Sequence, residues 1–307
     1  LEGTVIRSTG SSYSVLLESG EKVLGKLKGN FRIRGIRSTN PVVIGDKVTC
    51  EPSSEGSWWW IVEIHPRFNH IIRKSKKLSK ESHILAANID QNIVVIAVAS
   101  PVTPQGFIDR VLVTSEAYHI PSLLVINKID LYGKKERESV EKLKRIYGMA
   151  DYEVLEVSAI EFTNLDMLID RMANKTSLFT GNSGVGKSAL INAMAPGMNL
   201  RTGKISAYHQ KGIHTTTYAE LFVLPFGGFI IDTPGIREFG LIDFKKEEVA
   251  ERFPEMRKYM HLCQYNNCTH THEPQCGIRK ALENGWISEE RYQGYLNILN
   301  DDYSKQW

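Results

Sequence analysis

Three things are scarce in this 307-residue chain. Cysteine occurs only four times, too seldom for a disulfide framework, and three of the four crowd between Cys263 and Cys276. No apolar run approaches the length of a membrane span, which excludes a helical membrane protein. Charge of one sign is also lacking: 38 Lys and Arg against 35 Asp and Glu give +3. The N-terminus shows no signal-peptide pattern, although residue 1 is Leu rather than Met. A cytoplasmic, monomeric protein without membrane attachment is expected.

What is present is globular. The chain is 42% hydrophobic and 24% charged, which excludes bulk disorder and suits two or three domains. The small net charge hides an asymmetry. Residues 1–80 carry fourteen Lys and Arg against seven Asp and Glu, so the front is basic and the remainder slightly acidic. A basic front end points to a polyanionic partner.

The first seventy residues are short, alternating or β-branched stretches ("TVIRS", "YSVLLES", "KVLGKLKG", "DKVTCEP", "WWWIVEIHP") separated by Gly, Ser and Pro. That pattern predicts a compact five-stranded barrel of the oligonucleotide-binding kind over 1–70. A polar basic linker is expected over 71–85. From 86 to 242 apolar strands such as "QNIVVIAVA" and "SLLVI" alternate with helical spacing, the signature of an α/β fold on a parallel sheet. "ELFVLPFGGFIID" reads instead as two strands joined by a tight turn, so one edge strand should be antiparallel. From 243 to 307 the pattern is helical and polar around a Cys/His cluster.

Gly181-x-x-x-x-Gly186-Lys187-Ser188 follows an apolar strand and opens an apolar-periodic helix, the context a phosphate-binding loop requires. The loop Gly181, Asn182, Ser183, Gly184, Val185 and Gly186, with Ala189 just beyond, would wrap phosphates with backbone N–H groups. The helix N-terminus adds partial positive charge. Lys187 would reach the β- and γ-phosphates, and Ser188 would ligate Mg²⁺. Asp232 of "DTPG" would hold Mg²⁺ through water, and Gly235 would offer its N–H to the γ-phosphate.

"NKID" ends a buried strand. Asp130 there can accept both N–H groups of guanine's Watson–Crick edge, a donor pair adenine lacks, so the motif opposes an ATPase. Asn127 would brace the loop, and Lys128 would lay its stem over the base. Ser158 and Ala159 end the next strand, where the Ala159 N–H can meet guanine O6.

The order of these elements is unusual: base loop, second base loop, phosphate loop, "KGIHTTT", "DTPG". Cyclic order is kept while the start point has moved, which a parallel sheet permits when cut at one loop and rejoined at another. With "NKID", "SAI", "GNSGVGKS", "KGIHTTT", "DTPG" and "CQYNNCTHTHEPQC" in that sequence, the chain resembles the circularly permuted GTPases. In particular it resembles the bacterial ribosome small-subunit-dependent GTPase A family, over nearly its whole length. The resemblance implies GTP hydrolysis, stimulation by the small ribosomal subunit, binding to that subunit and its rRNA late in its maturation, and nucleotide state coupled to that binding. An RNA-binding or scaffold protein whose guanine-nucleotide site is mainly regulatory is the alternative.

Thr215 and Thr216 are both candidates to complete Mg²⁺ coordination; the family pattern favours this pair over Thr217. Many small GTPases carry a water-orienting Gln just after "DxxG". Here Ile236 stands at that position and can neither donate nor accept a hydrogen bond. His214, beside the threonines, is the best intrinsic substitute, since a neutral imidazole can orient water or take its proton. The family resemblance points to the same residue.

Cys263-x4-Cys268-x-His270-x5-Cys276 offers three thiolates and an imidazole, the ligands of a closed tetrahedral zinc site with a structural role. His272 is a rival ligand and His261 a weaker one; Cys50, in an expected strand, reads as a small buried hydrophobe. Lys26, Lys28, Arg32, Arg34 and Arg37 lie within twelve residues, with Phe31 among them and no acid. Charges that track phosphates beside a stacking aromatic suit RNA. Alternation puts Trp59 on the opposite face from Trp58 and Trp60.

Overall fold

A computed structural model describes residues 1–9, 12–28, 41–54, 56–73, 83–198, 220–232 and 246–300. In chain order these form β1 (Glu2–Ser8), β2 (Tyr13–Leu17), β3 (Lys22–Leu27), β4 (Lys47–Pro52), β5 (Trp59–Ile64), β6 (His70–Arg73) and β7 (His83–Ala87). Then come β8 (Gln91–Ile96), α1 (Gln105–Ala117), β9 (Ser122–Ile126), α2 (Lys134–Gly148), β10 (Glu153–Glu156), α3 (Leu165–Met172), β11 (Thr176–Thr180) and α4 (Lys187–Met194). The hairpin β12 (Glu220–Val223) and β13 (Phe229–Asp232) follows, then one-turn helices at Lys246–Val249 and Pro254–Arg257, and finally α5 (Gly277–Glu283) and α6 (Glu289–Asn300).

These residues fall into two compact units. The first takes the described residues of Leu1–Gln91, Asp170–Phe179 and Gly203–Arg237. Its first five strands run in the order β1-β2-β3-β5-β4, and β4 pairs back onto β1, closing an OB-like barrel. All pairings in it are antiparallel except β3 with β5. Alternation drives the closure: Tyr13, Val15 and Leu17 point inward with Val5, Val23, Val48, Cys50 and Ile61. Cys50 is wholly buried there, a small core hydrophobe as its sequence position suggested.

The ends of the stretch read as a linker over 71–85 are strand instead. β6 and β7 pair antiparallel, from His70 with Ala87 to Arg73 with His83. "HII" and "HILAA" are short but apolar enough to form a ladder, and the basic run between them masked that pattern in the sequence. Asp46, fully buried, receives a bidentate fork from Arg67 at 2.6 and 2.7 Å, and the Ala87 N–H donates to Ile44 at 2.9 Å. The expected tight-turn hairpin is β12–β13, antiparallel, with β11 parallel to β13.

The second unit takes the described residues of Asn92–Ile169, Thr180–Thr202 and Glu238–Trp307. Parallel strands β8, β9 and β10 carry α1, α2 and α3. β8 is buried along its entire length, as its unbroken apolar run requires. Val94, Ile96, Leu124 and Ile126 pack against Ile108, Val111 and Leu112 of α1 and Val140, Ile146 and Tyr147 of α2.

The C-terminal helices belong to this same unit. Phe253, Met256, Ile278, Tyr295 and Ile298 share one core with Val113 of α1. Beside it lies a wholly buried ionic group. Arg291 of α6 donates to Asp109 of α1 at 2.6 Å and to Glu255 at 2.6 and 3.3 Å, and the Tyr147 hydroxyl donates to Asp109 at 3.0 Å. The Arg291 guanidinium also stands 4.5 Å from the Phe253 ring centre. No helix among the described residues is long and apolar enough to cross a membrane.

Candidate functional site

Three loops of the second unit meet at Asn127. Its side chain is buried; Nδ2 donates to the Val185 carbonyl at 2.9 Å and Oδ1 accepts the Ala159 N–H at 3.3 Å. One amide thereby ties the "NKID" loop to the phosphate loop and to the "SAI" loop. The sequence expects Asn127 to brace; here it braces by satisfying backbone groups of both neighbours.

The phosphate loop is shaped by glycine. Gly181 has φ +142° and Gly186 φ +95°, values that L side chains rarely adopt. A Cβ on Gly181 would lie 2.2 Å from the Val95 carbonyl oxygen, and one on Gly186 would lie 2.3 Å from Asn127 Nδ2. Both close approaches exist only because no side chain is there. Asn182, Ser183 and Gly184 complete an open loop, Val185 is buried beneath it, and Ser188 and Ala189 lie in the first turn of α4, which Leu190, Ile191 and Met194 anchor. The Lys187 ammonium folds back onto the Gly181 and Asn182 carbonyls at 2.7 and 2.8 Å. It already spans the loop mouth where phosphates would sit.

Asp130 is half-buried, and its Oδ1 accepts the Ser158 hydroxyl at 2.6 Å; Ser158 Oγ in turn accepts the Glu161 N–H at 3.0 Å. The carboxylate is thus aimed without being used up. Lys128 sits at φ +68° and donates from Nζ to the Ser100 carbonyl. Sequence reasoning missed Tyr132. It is buried, donates its hydroxyl to the Asn127 carbonyl at 2.5 Å and accepts the Val98 N–H at 3.0 Å. Burial pushes its phenol above the ordinary range, so it stays a donor. An aromatic two residues after "NKID" was its one trace in the sequence. Asp232 ends β13. His214, Thr215, Thr216 and Gly235 lie outside the described residues.

In the C-terminal part, the ligand atoms of Cys263, Cys268, His270 and Cys276 lie within 4.8 Å of one another. His270 Nδ1 is 3.5 Å from Cys263 Sγ and 3.4 Å from Cys276 Sγ, and those two sulfurs are 4.0 Å apart. A tetrahedral zinc site needs sulfurs about 3.8 Å apart and sulfur to nitrogen about 3.5 Å, given its usual bond lengths. The residues therefore fit a four-ligand metal ion. The Gly277 and Arg279 N–H groups point at Cys263 Sγ and Cys276 Sγ at 3.3 and 3.5 Å, a second layer that favours thiolates.

Burial pushes the Cys268 thiol up to about 12 and the Cys276 thiol up as well. It also holds the His270 imidazole below its usual value, in the neutral form a metal ligand needs. His272 and His261 are exposed and outside the group. Glu273, which the sequence gave no reason to single out, organises the loop by accepting from Thr269 N and Oγ1, Thr271 N and His272 N. The Tyr292 and Tyr295 hydroxyls donate to the His270 and Thr269 carbonyls, so α6 clamps the loop from behind.

On the barrel, Lys26 lies near the end of β3 and Lys28 just after it, and Lys26 Nζ stands 3.9 Å from the centre of the Trp58 ring. Trp58 and Trp60 meet edge to face at 6.0 Å, while Trp59 packs toward the barrel core, as alternation requires. Phe31, Arg32, Arg34 and Arg37 lie outside the described residues.

Known proteins share this arrangement. The model of the RsgA GTPase matches residues 64–242, and that of the RsgA N-terminal domain matches residues 2–57. A "Small ribosomal subunit biogenesis GTPase RsgA" of Bacteroides fragilis is 48% identical over 301 residues, 98% of this chain and 97% of the relative. One of Porphyromonas gingivalis is 45% identical over 311 residues, 100% of this chain and 99% of its own. The crystal structure of YjeQ from Thermotoga maritima superposes with a TM-score of 0.81 at 33% identity, covering 100% of this chain and 99% of that one. That of YloQ, described as a circularly permuted GTPase, gives 0.77 at 27% identity, covering 100% and 96%. The permuted order of the base and phosphate loops, the closed barrel and the Cys3His group thus have one explanation: this chain belongs to the RsgA GTPase family.

Proposed function

We propose that this protein is a GTPase that binds the small ribosomal subunit and its rRNA in the cytoplasm and acts in the subunit's late maturation, its nucleotide state setting its affinity for the subunit. The observation that carries the reading is Asn127, which joins a guanine-reading loop, a second base loop and a phosphate loop in permuted chain order. The relatives named above carry small-subunit biogenesis in their names.

In this reading Asp130 accepts guanine's two N–H donors while Ser158 holds it, and the Ala159 N–H meets O6. Lys187 leaves the Gly181 and Asn182 carbonyls for the β- and γ-phosphates, which outcompete them because they carry full charge. Ser188, one of Thr215 and Thr216, and Asp232 through water hold a Mg²⁺ ion that neutralises phosphate charge. Gly235 senses the γ-phosphate, and His214 orients the attacking water in place of the absent Gln. Cys263, Cys268, His270 and Cys276 hold one Zn²⁺ as a closed cross-link. The barrel over 1–70, with Lys26, Lys28, Phe31, Arg32, Arg34 and Arg37, serves the RNA. The permuted GTPase over 86–242 and the metal-binding part over 243–307 complete the division of labour.

The test is GTP hydrolysis with and without purified small subunits. Weak basal turnover, strongly stimulated by the subunit and lost in His214→Ala while GTP and subunit binding survive, is the expected result. Turnover that subunits leave unchanged would favour a scaffold whose nucleotide site is only regulatory. Equal subunit affinity of the GDP-bound and GTP-analogue-bound forms would remove the coupling.

A further inference from the structure

We infer that Tyr132 is a positioning residue for guanine recognition, its hydroxyl pinning the base-reading loop to the loop that follows β8. The inference rests on the guanine-binding reading above and adds a part that the recognition motifs do not contain.

The hydroxyl has two partners, both backbone. It donates to the carbonyl of Asn127, the residue that joins the base loops to the phosphate loop, and accepts the Val98 N–H. The loop from Val98 to Thr103 makes two further contacts with the nucleotide site. The Ser100 carbonyl receives Lys128 Nζ, and the Pro101 ring lies beside Gly184, where a Cβ would stand 3.3 Å from Pro101 Cδ. Its base is fixed by the Thr103 hydroxyl, which accepts the Ala97 N–H at 3.0 Å. This loop therefore touches both the base-reading and the phosphate-binding elements, and Tyr132 is the link at its start.

The geometry has a chemical consequence. Asp130 reads guanine only if its two oxygens meet two N–H groups at once, so a displacement of a few tenths of an ångström weakens both bonds. The backbone of Asn127 sets where Asp130 stands, three residues on. Arg137 adds a lesser brace on the same turn, donating to the Ile129 carbonyl at 3.1 Å. Removing the Tyr132 hydroxyl leaves a buried carbonyl without its donor and frees the Val98 N–H, while the ring still fills its place in the core with Val94 and Ile126.

The experiment compares unmodified protein with Tyr132→Phe for binding of GDP and IDP. IDP lacks the 2-amino group, so the ratio of the two affinities reports how well Asp130 is aimed. Tyr132→Phe should bind GDP about tenfold more weakly, and its GDP-to-IDP ratio should narrow toward one. A merely structural role would lower the melting temperature without moving that ratio. A folded variant with full GDP affinity and an unchanged ratio overturns the inference. If the unmodified protein does not itself prefer GDP over IDP, base reading by Asp130 falls, and this inference with it.

A second measurement needs no variant. Linkage is reciprocal, so a brace that favours GDP must be favoured by GDP. Amide exchange at Val98 in the unmodified protein should slow on adding GDP. Exchange at Val98 that GDP leaves unchanged would overturn the inference even if Tyr132→Phe failed to fold.

Discussion

The guanine corner and the Cys3His loop are both built from short irregular segments, yet they are held by opposite means. At the guanine corner the brace is neutral and belongs to the protein: Asn127, Ser158 and Tyr132 satisfy backbone and carboxylate groups. In the Cys3His loop the four groups that converge are themselves the candidate ligands, three of them thiols, two of which burial drives toward the protonated form. The first site is held by side-chain bonds to backbone groups of its neighbouring loops. The second brings together side chains whose shared chemistry is that of cation ligands, on a loop that Glu273, Tyr292 and Tyr295 hold in place.

The sharpest way to break this contrast is to strip the metal. Structural zinc in small domains is worth ~10 kcal/mol or more of folding free energy. Metal analysis should find about one zinc per chain, and chelation should expose the amides of Gly277 and Arg279 to exchange, since both donate to sulfurs of the Cys3His group. Per folded molecule, GDP affinity should change by less than about threefold, because no residue of the nucleotide site is among the four Cys and His side chains. A large loss of GDP binding on chelation would erase the distinction.

Next in size is Asp130→Asn. Inverting the hydrogen-bonding character of the base-reading group should shift preference from guanosine toward xanthosine diphosphate by ~10⁴-fold, read by competition binding, with the metal content unchanged. Retained GDP preference would remove Asp130 from the base site.

Arg291→Ala tests what lies between the two sites. It leaves the buried Asp109 and Glu255 without their cation and should cost ~3–5 kcal/mol in denaturant unfolding. Because Arg291 joins α6 to α1, nucleotide-binding helices and metal-binding segment should lose stability in a single transition. Two separate transitions, with only the C-terminal one shifted, would show that the shared core does not couple them.

The smallest effect is that of Ser158→Ala. Asp130 loses one donor but keeps its place, so GDP affinity should fall by about three- to tenfold. No change would mean that Ser158 does not aim the carboxylate.

How much of this was legible beforehand differs between the same two regions. The phosphate loop, Asn127, Asp130 and the convergence of the three Cys and one His were readable because their chemistry fixes residue type and spacing along a short stretch. The barrel strands and the β12–β13 hairpin were readable from alternation bounded by turn residues. Tyr132 was not, because an aromatic after a strand end is ordinarily core, and only the placement of Val98 and Asn127 gives its hydroxyl two partners. Glu273 was hidden likewise, as an acid in a polar loop whose donors are backbone groups. The β6–β7 pair was obscured by the basic run between its strands. Nor could sequence reveal that the C-terminal helices share a core with α1, since Asp109, Glu255 and Arg291 are far apart in the chain and form no motif.

The buried Arg291–Asp109 pair also bears on when the molecule can be completed during synthesis. The two residues are separated by 182 positions. At ordinary rates of translation of roughly 5–20 residues per second, Asp109 waits roughly ten to forty seconds before its partner is polymerised. Until then α1 carries a carboxylate on a surface meant to be dry, beside Val113, whose apolar neighbours also come from the later helices. The nascent nucleotide-binding half is therefore an unfinished body with a polar group in the wrong solvent. Its last layer is supplied by chain that the ribosome has yet to make.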